Sequence, residues 1–257
     1  MDYVVVCAVA FLASVLTLFS GFGLGTILLP AFVLFFPVEL AVAMTAVVHL
    51  ANNIMKLAVL GRYADRSVVV RFGVPAIVAA IAGALLLTVL ADGSPVARWS
   101  LYDREMVVTP VKLLIAVLIM VFALLEVLPS LRHLQFERKY LPLGGVLSGF
   151  FGGLSGHQGA LRSAFLIRAG LSKEGYIATG VVIACLVDVT RLSVYGRHVQ
   201  STGLEEHLTL LTASVISAFV GVLAGRHLLG GITMRSVQVI VSALLMLTAI
   251  GLGSGLI

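Results

Sequence analysis

Four polar side chains share one face of an otherwise apolar segment, residues 38–60. His49, Asn52, Asn53 and Lys56 are spaced i, i+3, i+4 and i+7, which is one stripe of an α-helix. Such a stripe is poorly tolerated against lipid and should face a partner helix or a wet cavity. The spacing therefore predicts either a polar binding surface or interhelical hydrogen bonds, with Lys56 reaching the end of the helix in the second interpretation.

A second polar stripe lies in the apolar segment 174–195. Asp188, Arg191 and Tyr195 are spaced i, i+3 and i+7 and so share a helix face. Opposite charges one turn apart neutralise each other, which lowers the cost of burying them. This stripe is either a structural ion pair or a site where Arg191 contacts an anion while Asp188 orients it or takes a proton.

The third group is the glycine-rich segment GLSGHQGALRS at 153–163. Glycines free backbone N–H groups in an unwound stretch, and the N-terminus of a following half-helix adds a positive dipole end, so both favour a negative ligand. Arg162 offers a planar fork suited to an oxyanion, and His157 titrates near neutral pH and could couple transport to protons. The alternative is that these glycines only allow close helix packing.

Taken together, these groups form a predicted anion-binding set. Its members are Arg191, Arg162, Lys56, His157, Gln158, His49, Asn52, Asn53, Ser163, Gly25 and Gly159. Asp188 and His157 are the candidate carriers of a coupled proton. No group of residues has the spacing of metal ligands, and no cofactor is predicted.

The composition decides the class of protein that must position these residues. Of 257 residues, 60% are hydrophobic and only 11% charged, against about 25% charged in soluble domains. The mean hydropathy is +1.12. These values exclude a soluble enzyme, a disordered chain and a nucleic-acid-binding module. Cys7 and Cys185 both lie inside apolar runs, which argues against a disulfide framework.

Long apolar runs predict an all-α membrane protein, because a helix needs about 20 apolar residues to cross a bilayer. The runs cover 3–20, 38–60, 69–91, 107–128, 140–155, 174–195, 206–229 and 235–253. Two further stretches, 26–36 and 157–169, are about half as long, and each follows a cluster of glycines. Short glycine-interrupted segments at matching places in two halves are typical of broken or re-entrant helices in transporters.

The two halves of the chain resemble each other. TAVV at 45–48 matches TGVV at 179–182, and LAVLGRY at 57–63 matches LSVYGRH at 192–198, at offsets of 134 and 135. The same offset places Lys56 and Arg191 at equivalent positions. We therefore predict two transmembrane repeats in one membrane domain. Their boundaries are 1–130 and 131–257.

Each half contains five apolar segments, so the repeats should have inverted topology. If loops 61–71, 129–139 and 226–235 are cytoplasmic, they hold eight Lys and Arg residues, against three in loops 92–106 and 196–207. This bias agrees with the positive-inside rule. It predicts a polytopic helical bundle in the cytoplasmic (inner) membrane with both termini outside.

These motifs resemble the sulfite exporter TauE/SafE family of membrane transporters. The resemblance is carried by GFGLGTILLP at 21–30 with AVAMTAVVH at 41–49, and by GFFGGLSGHQGALRSAFL at 149–166 with YIATGVV at 176–182. It covers nearly the whole chain. The resemblance implies two inverted repeats and export of sulfite or an organosulfonate by alternating access. The expected partners are thus a small anionic substrate and the lipid bilayer, without nucleic acid.

Other functions stay open from the sequence. The same site would serve an importer or a channel for another small anion. A remote alternative is an intramembrane serine protease, from the GLSG pattern around Ser155, although His198, His207 and His227 are predicted in loops or at a helix end. A scaffold or receptor would not need arginines inside the membrane. Arg191→Ala and Arg162→Ala are expected to abolish anion binding and to leave the fold mostly intact.

Overall fold

The computed structural model consists of helices with one short β-hairpin. It describes residues 2–20, 24–102, 104–128, 135–199, 204–228 and 234–257. The helices are α1 (Asp2–Ser20), α2 (Leu24–Val33), α3 (Val38–Leu60), α4 (Arg66–Ala91), α5 (Pro110–Val127), α6 (Leu141–Ser155), α7 (Gly159–Leu166), α8 (Lys173–Val199), α9 (Leu208–Leu228) and α10 (Met234–Ser254). The strands are β1 (Ala97–Leu101) and β2 (Arg104–Val108).

Three stretches in the described part of the chain are long and apolar enough to cross a membrane: Val38–Tyr63, Arg66–Ala91 and Lys173–Gly196. The other apolar helices there are shorter. The prediction of an all-α membrane protein is confirmed. The two half-length runs correspond to the short helices α2 and α7, with 10 and 8 residues.

The main helix contacts all join the first half of the chain to the second. Helix α3 packs on α8, α4 on α6, α1 on α9, and α5 on α10. In the predicted repeat, α1 to α5 correspond in order to α6 to α10. Replacing each helix by its counterpart turns the α1–α9 contact into the α6–α4 contact, and it leaves the α3–α8 and α5–α10 contacts unchanged. The duplication itself, the inverted orientation and the boundary at residue 130 stay predictions.

Glycines on α6 allow that helix to approach the backbone of α4. Gly145, Gly149 and Gly153 are four residues apart and form one stripe along α6. A Cβ atom at Gly149 would lie 2.2 Å from the carbonyl oxygen of Ala76, which is too short for a contact between nonbonded atoms. These glycines therefore serve close helix packing. The contact holds the C-terminal end of α6, where the predicted binding segment begins.

The β-hairpin was not predicted. β1 and β2 pair antiparallel, with Ala97 opposite Val108. The Trp99 indole Nε1–H donates to the carbonyl oxygen of Ser254 at 2.8 Å, which joins the hairpin to the end of α10. The apolar run expected to begin as a helix at 107 starts instead inside β2, and α5 begins at Pro110 after the N-cap Thr109. Hydropathy alone did not separate the end of this strand from the helix.

Candidate functional site

Asp188 is the centre of a buried polar cluster between α3 and α8. Its carboxylate is fully buried, accepts three hydrogen bonds and makes a further ion-pair contact with Arg191. Arg191 Nε and Nη2 lie 3.0 and 2.8 Å from Oδ1, and Gln158 Nε2 donates to the same oxygen at 3.4 Å. His49 Nδ1 lies 2.5 Å from Oδ2. We call His49, Asn53, Gln158, Asp188 and Arg191 the carboxylate cluster.

The antiparallel packing of α3 against α8 brings the two sequence stripes together. His49 meets Asp188 near the middle of both helices, while the backbone N–H of Asp65, just beyond α3, donates to Thr179 Oγ1 near the start of α8. Asn53 lies one turn after His49, and its Nδ2 is 3.1 Å from His49 Nδ1 and 3.3 Å from Nε2. In the tautomer that carries its proton on Nδ1, the imidazole donates to Asp188 and can accept at Nε2 from Asn53.

The break between α6 and α7 supplies the fifth member of the cluster. Gly156 ends α6 with φ of +83°, a conformation that glycine adopts without the steric cost of a side chain. Gln158 lies in this break and bonds in two directions: its Nε2 donates to Asp188, and its Oε1 accepts from Arg162 Nη1 at 3.0 Å. Its backbone carbonyl accepts from Ser148 Oγ at 3.1 Å. Gln158 therefore connects Arg162 to the carboxylate cluster.

Lys56 and Arg162 form a second, positively charged group beside the cluster. Both are partly buried, and they lie close enough for their charges to repel. Within the described residues, neither forms an ion pair with an acidic side chain. Arg191 differs from them because Asp188 compensates its charge. Uncompensated cations inside a membrane protein are costly, so a site that holds two of them favours an anionic ligand.

Several buried polar atoms next to these groups have no hydrogen-bond partner in the described part of the chain. They are Arg191 Nη1 and Nη2, His157 Nε2, Thr45 Oγ1 and both side-chain amide atoms of Asn52. Buried polar atoms are normally paired, so a group of unpaired ones indicates a place where a ligand or water adds the missing bonds.

Two glycines lie against these unpaired atoms. A Cβ atom at Gly156 would lie 2.8 Å from Arg191 Nη1. A Cβ atom at Gly25 would lie 3.6 Å from Thr45 Cγ2 and 3.8 Å from both the Gly156 carbonyl oxygen and the His49 ring. The place where α2, α3, α8 and the α6–α7 break meet thus brings together Gly25, Thr45, Gly156 and Arg191.

Two predicted residues have other contacts. The Ser163 hydroxyl donates to the Gly159 carbonyl at 2.9 Å, a bond inside α7. The His157 ring stacks on Phe122 at 5.3 Å and places Nδ1 3.0 Å from Ser155 Oγ. In the described structure it contacts no carboxylate, whereas His49 does.

The contact between Ser155 and His157 is not that of a nucleophile and its base. Ser155 Oγ donates to the Phe151 carbonyl at 3.1 Å, a bond to the preceding turn of α6. His157 Nδ1 then carries the proton and donates to the hydroxyl oxygen. A nitrogen that points its own proton at the hydroxyl cannot accept the proton from it.

The sequence patterns missed one residue beside the cluster, Thr45, and one contact, between Tyr195 and Gly153. Thr45 lies four residues before His49 on the same helix face, so the periodicity that found the stripe could also have found Thr45. The Tyr195 hydroxyl donates to the Gly153 carbonyl and so joins α8 to the end of α6. Nothing in the sequence indicated that partner. The described residues contain no group of three or more His, Cys, Asp and Glu side chains able to hold a metal ion.

The apolar helices and the charged cluster buried among them define an integral membrane protein. The family model described as Sulfite exporter TauE/SafE matches residues 6–252. The chain therefore belongs to the TauE/SafE family, whose members are membrane transporters and not enzymes. Comparisons with curated proteins and with solved structures find no match.

Proposed function

We propose that this protein is a secondary transporter that exports sulfite or an organosulfonate by alternating access. The anion would bind near the membrane midplane, between two inverted repeats. The observation that carries the proposal is the pair Lys56 and Arg162, two adjacent cations without an acidic partner in the described structure. A small oxyanion would compensate both charges and accept hydrogen bonds from the Arg162 fork.

The surrounding groups support an anion site at this position. Gln158 connects the cations to the carboxylate cluster, and the unpaired atoms of Asn52 and Arg191 offer further donors. The N-terminus of α7 at Gly159 and the break at Gly156 add backbone N–H groups in a region where the helix dipole favours negative charge. His49, Asn53 and His157 are part of the same proposed region, and Gly25 on α2 lies close to the His49 ring.

Efflux from proteoliposomes tests the proposal. Vesicles loaded with labelled sulfite or methanesulfonate should release it faster with the protein than without, and a cation of similar size should not be released. Unlabelled anion outside should accelerate efflux, since alternating access is faster when the carrier returns loaded, whereas a channel shows no such acceleration. Vesicles that retain every sulfur anion at the protein-free rate would contradict the proposal.

The proposed orientation places the β-hairpin outside and the loop after α3 in the cytoplasm. We expect Ser100→Cys, in β1, to react with a membrane-impermeant maleimide in intact cells, and Ser67→Cys, at the start of α4, to react only after lysis. Both side chains are exposed in the structure, so the two variants are matched. Native Cys7 and Cys185 would be replaced by serine in both. Labelling of Ser67→Cys in intact cells, with Ser100→Cys protected, would reverse the orientation.

A further inference from the structure

The hydrogen bonds of Asp188 show that its carboxylate and an incoming anion compete for the same partner. Arg191 Nε donates to Asp188 Oδ1 and Nη2 lies 2.8 Å from the same oxygen as an ion-pair contact, so the carboxylate occupies this side of the guanidinium. The pair is fully buried, so neither charge is screened by water. An anion that takes the guanidinium fork of Arg191 would leave Asp188 as an uncompensated buried charge, which is strongly unfavourable.

A proton on Asp188 removes this conflict. A neutral carboxylic acid no longer needs the guanidinium, so Arg191 can turn its fork to the anion while total charge in the site stays constant. Binding of the proton and binding of the anion then favour each other, as linkage requires.

His49 is placed to deliver this proton. Its Nδ1 lies 2.5 Å from Asp188 Oδ2, and the Asn53 amide lies against the imidazole ring. The relay starts from the tautomer that carries its proton on Nδ1. A proton from water would bond to Nε2, and the Nδ1 proton would pass to Oδ2. The imidazole ends neutral in its other tautomer, Asp188 ends as the acid and donates back to Nδ1, and Asn53 turns its carbonyl oxygen to the new Nε2–H.

From this geometry we infer that the His49–Asp188 pair is the proton-binding site of the transporter and that it takes up one proton with each anion bound at Arg191. The inference rests on the proposed function and names its coupling ion. A monoanion would then cross the membrane together with one proton, in an electroneutral step.

Other titratable or charged groups near Asp188 are less suited to this role. They are Arg191, Cys185 and Tyr195 on α8, Arg162 on α7, and His157 in the α6–α7 break, which lies near Arg191. His157 is the rival carrier, because it is the other histidine at the site. Its described partners are Ser155 and Phe122, so it has no carboxylate to which a proton can pass.

Proton uptake on binding tests the inference. Purified full-length protein in weakly buffered detergent solution would be mixed with methanesulfonate, which does not titrate in this range, and a pH indicator would report protons taken up per anion bound. We expect about one proton per anion, and an affinity that falls about tenfold per pH unit on the alkaline side. Asp188→Asn should bind methanesulfonate with no proton uptake and with an affinity independent of pH. His157→Gln should keep about one proton per bound anion.

The outcomes separate the two hypotheses. Methanesulfonate binding by the wild-type protein without proton uptake overturns the inference and leaves the proposed function standing. Uptake that persists in Asp188→Asn, or is lost in His157→Gln, also overturns it. No binding of methanesulfonate to the wild-type protein contradicts the proposed function and the inference with it. If Asp188→Asn fails to fold, the pH dependence of the wild-type affinity still tests the proton coupling, and proton uptake by His157→Gln still tests the rival carrier.

Discussion

Replacing Arg162 by alanine should slow methanesulfonate efflux from proteoliposomes about ten- to a hundredfold. The variant removes one of the two cations that have no acidic partner in the described structure, and with it the fork that would hold the oxyanion. Hydrogen bonds to charged groups contribute about 1.5–3 kcal/mol each, which corresponds to that range of affinity. The fold should change little, because Arg162 is only partly buried and its one hydrogen bond to a protein side chain goes to the neutral Gln158.

Two matched variants isolate the role of Arg162. Arg168→Ala removes the same side chain six residues further on, where it is exposed and bonded to Gln135, and should transport like the wild-type protein. Arg162→Lys keeps the charge but loses the planar fork, so it should recover part of the activity. Equal efflux by Arg162→Ala and Arg168→Ala would remove Arg162 from the proposed binding site.

Much of the site was predictable because helical periodicity is local. The spacing of His49, Asn52, Asn53 and Lys56 places these residues on one face of α3 whatever the helix packs against. The same holds for Asp188 and Arg191 on α8, which form the predicted ion pair. The glycines before α7 also predicted the break in the helix, because they sit at the point where an apolar run becomes too short to cross a bilayer.

The partners across helices could not be predicted in this way. His49 and Asp188 are 139 residues apart, and periodicity says which face a residue occupies but not which helix it meets. From the sequence, His157 and Asp188 were therefore equal candidates for binding the coupled proton. The contact of Ser163 was hidden for a related reason: a serine inside a helix can bond to its own preceding turn, and here the hydroxyl donates to the Gly159 carbonyl, while its role in binding stays a prediction.

The hairpin shows the limit of hydropathy as a guide. Residues 106–108 are apolar enough to extend the run of α5, but Pro110 and the N-cap Thr109 set the beginning of the helix, and the preceding residues pair with β1. The cap was readable as a helix start signal, since threonine before proline is typical of that position. The strand partner was not, because the alternation of apolar and polar residues in β1 indicates which face each side chain occupies but not which segment the strand pairs with.

Arg191→Ala should unfold at a distinctly lower temperature than the wild-type protein, in addition to losing anion binding. The sequence suggested a mostly intact fold, but the structure changes this expectation. Removing Arg191 takes one hydrogen bond and the ion-pair contact from a fully buried carboxylate and leaves its charge uncompensated. Breaking one partner of a buried ion pair costs about 3–5 kcal/mol, whereas removing both partners costs much less. Thermal unfolding in detergent, followed by far-UV circular dichroism, measures the difference.

The double variant Asp188→Ala/Arg191→Ala is the decisive control. It should recover a large part of the lost thermal stability, because the unpaired charge is gone, yet it should not recover efflux, because the guanidinium is still missing. A double-mutant cycle over the four proteins gives the coupling energy of the pair directly. If the single variant is as stable as the wild-type protein, Asp188 must already be neutral in the folded state, and the ionised cluster described above would be wrong. If the double variant transports, Arg191 does not bind the anion, and the binding site must consist of Lys56 and Arg162 without it.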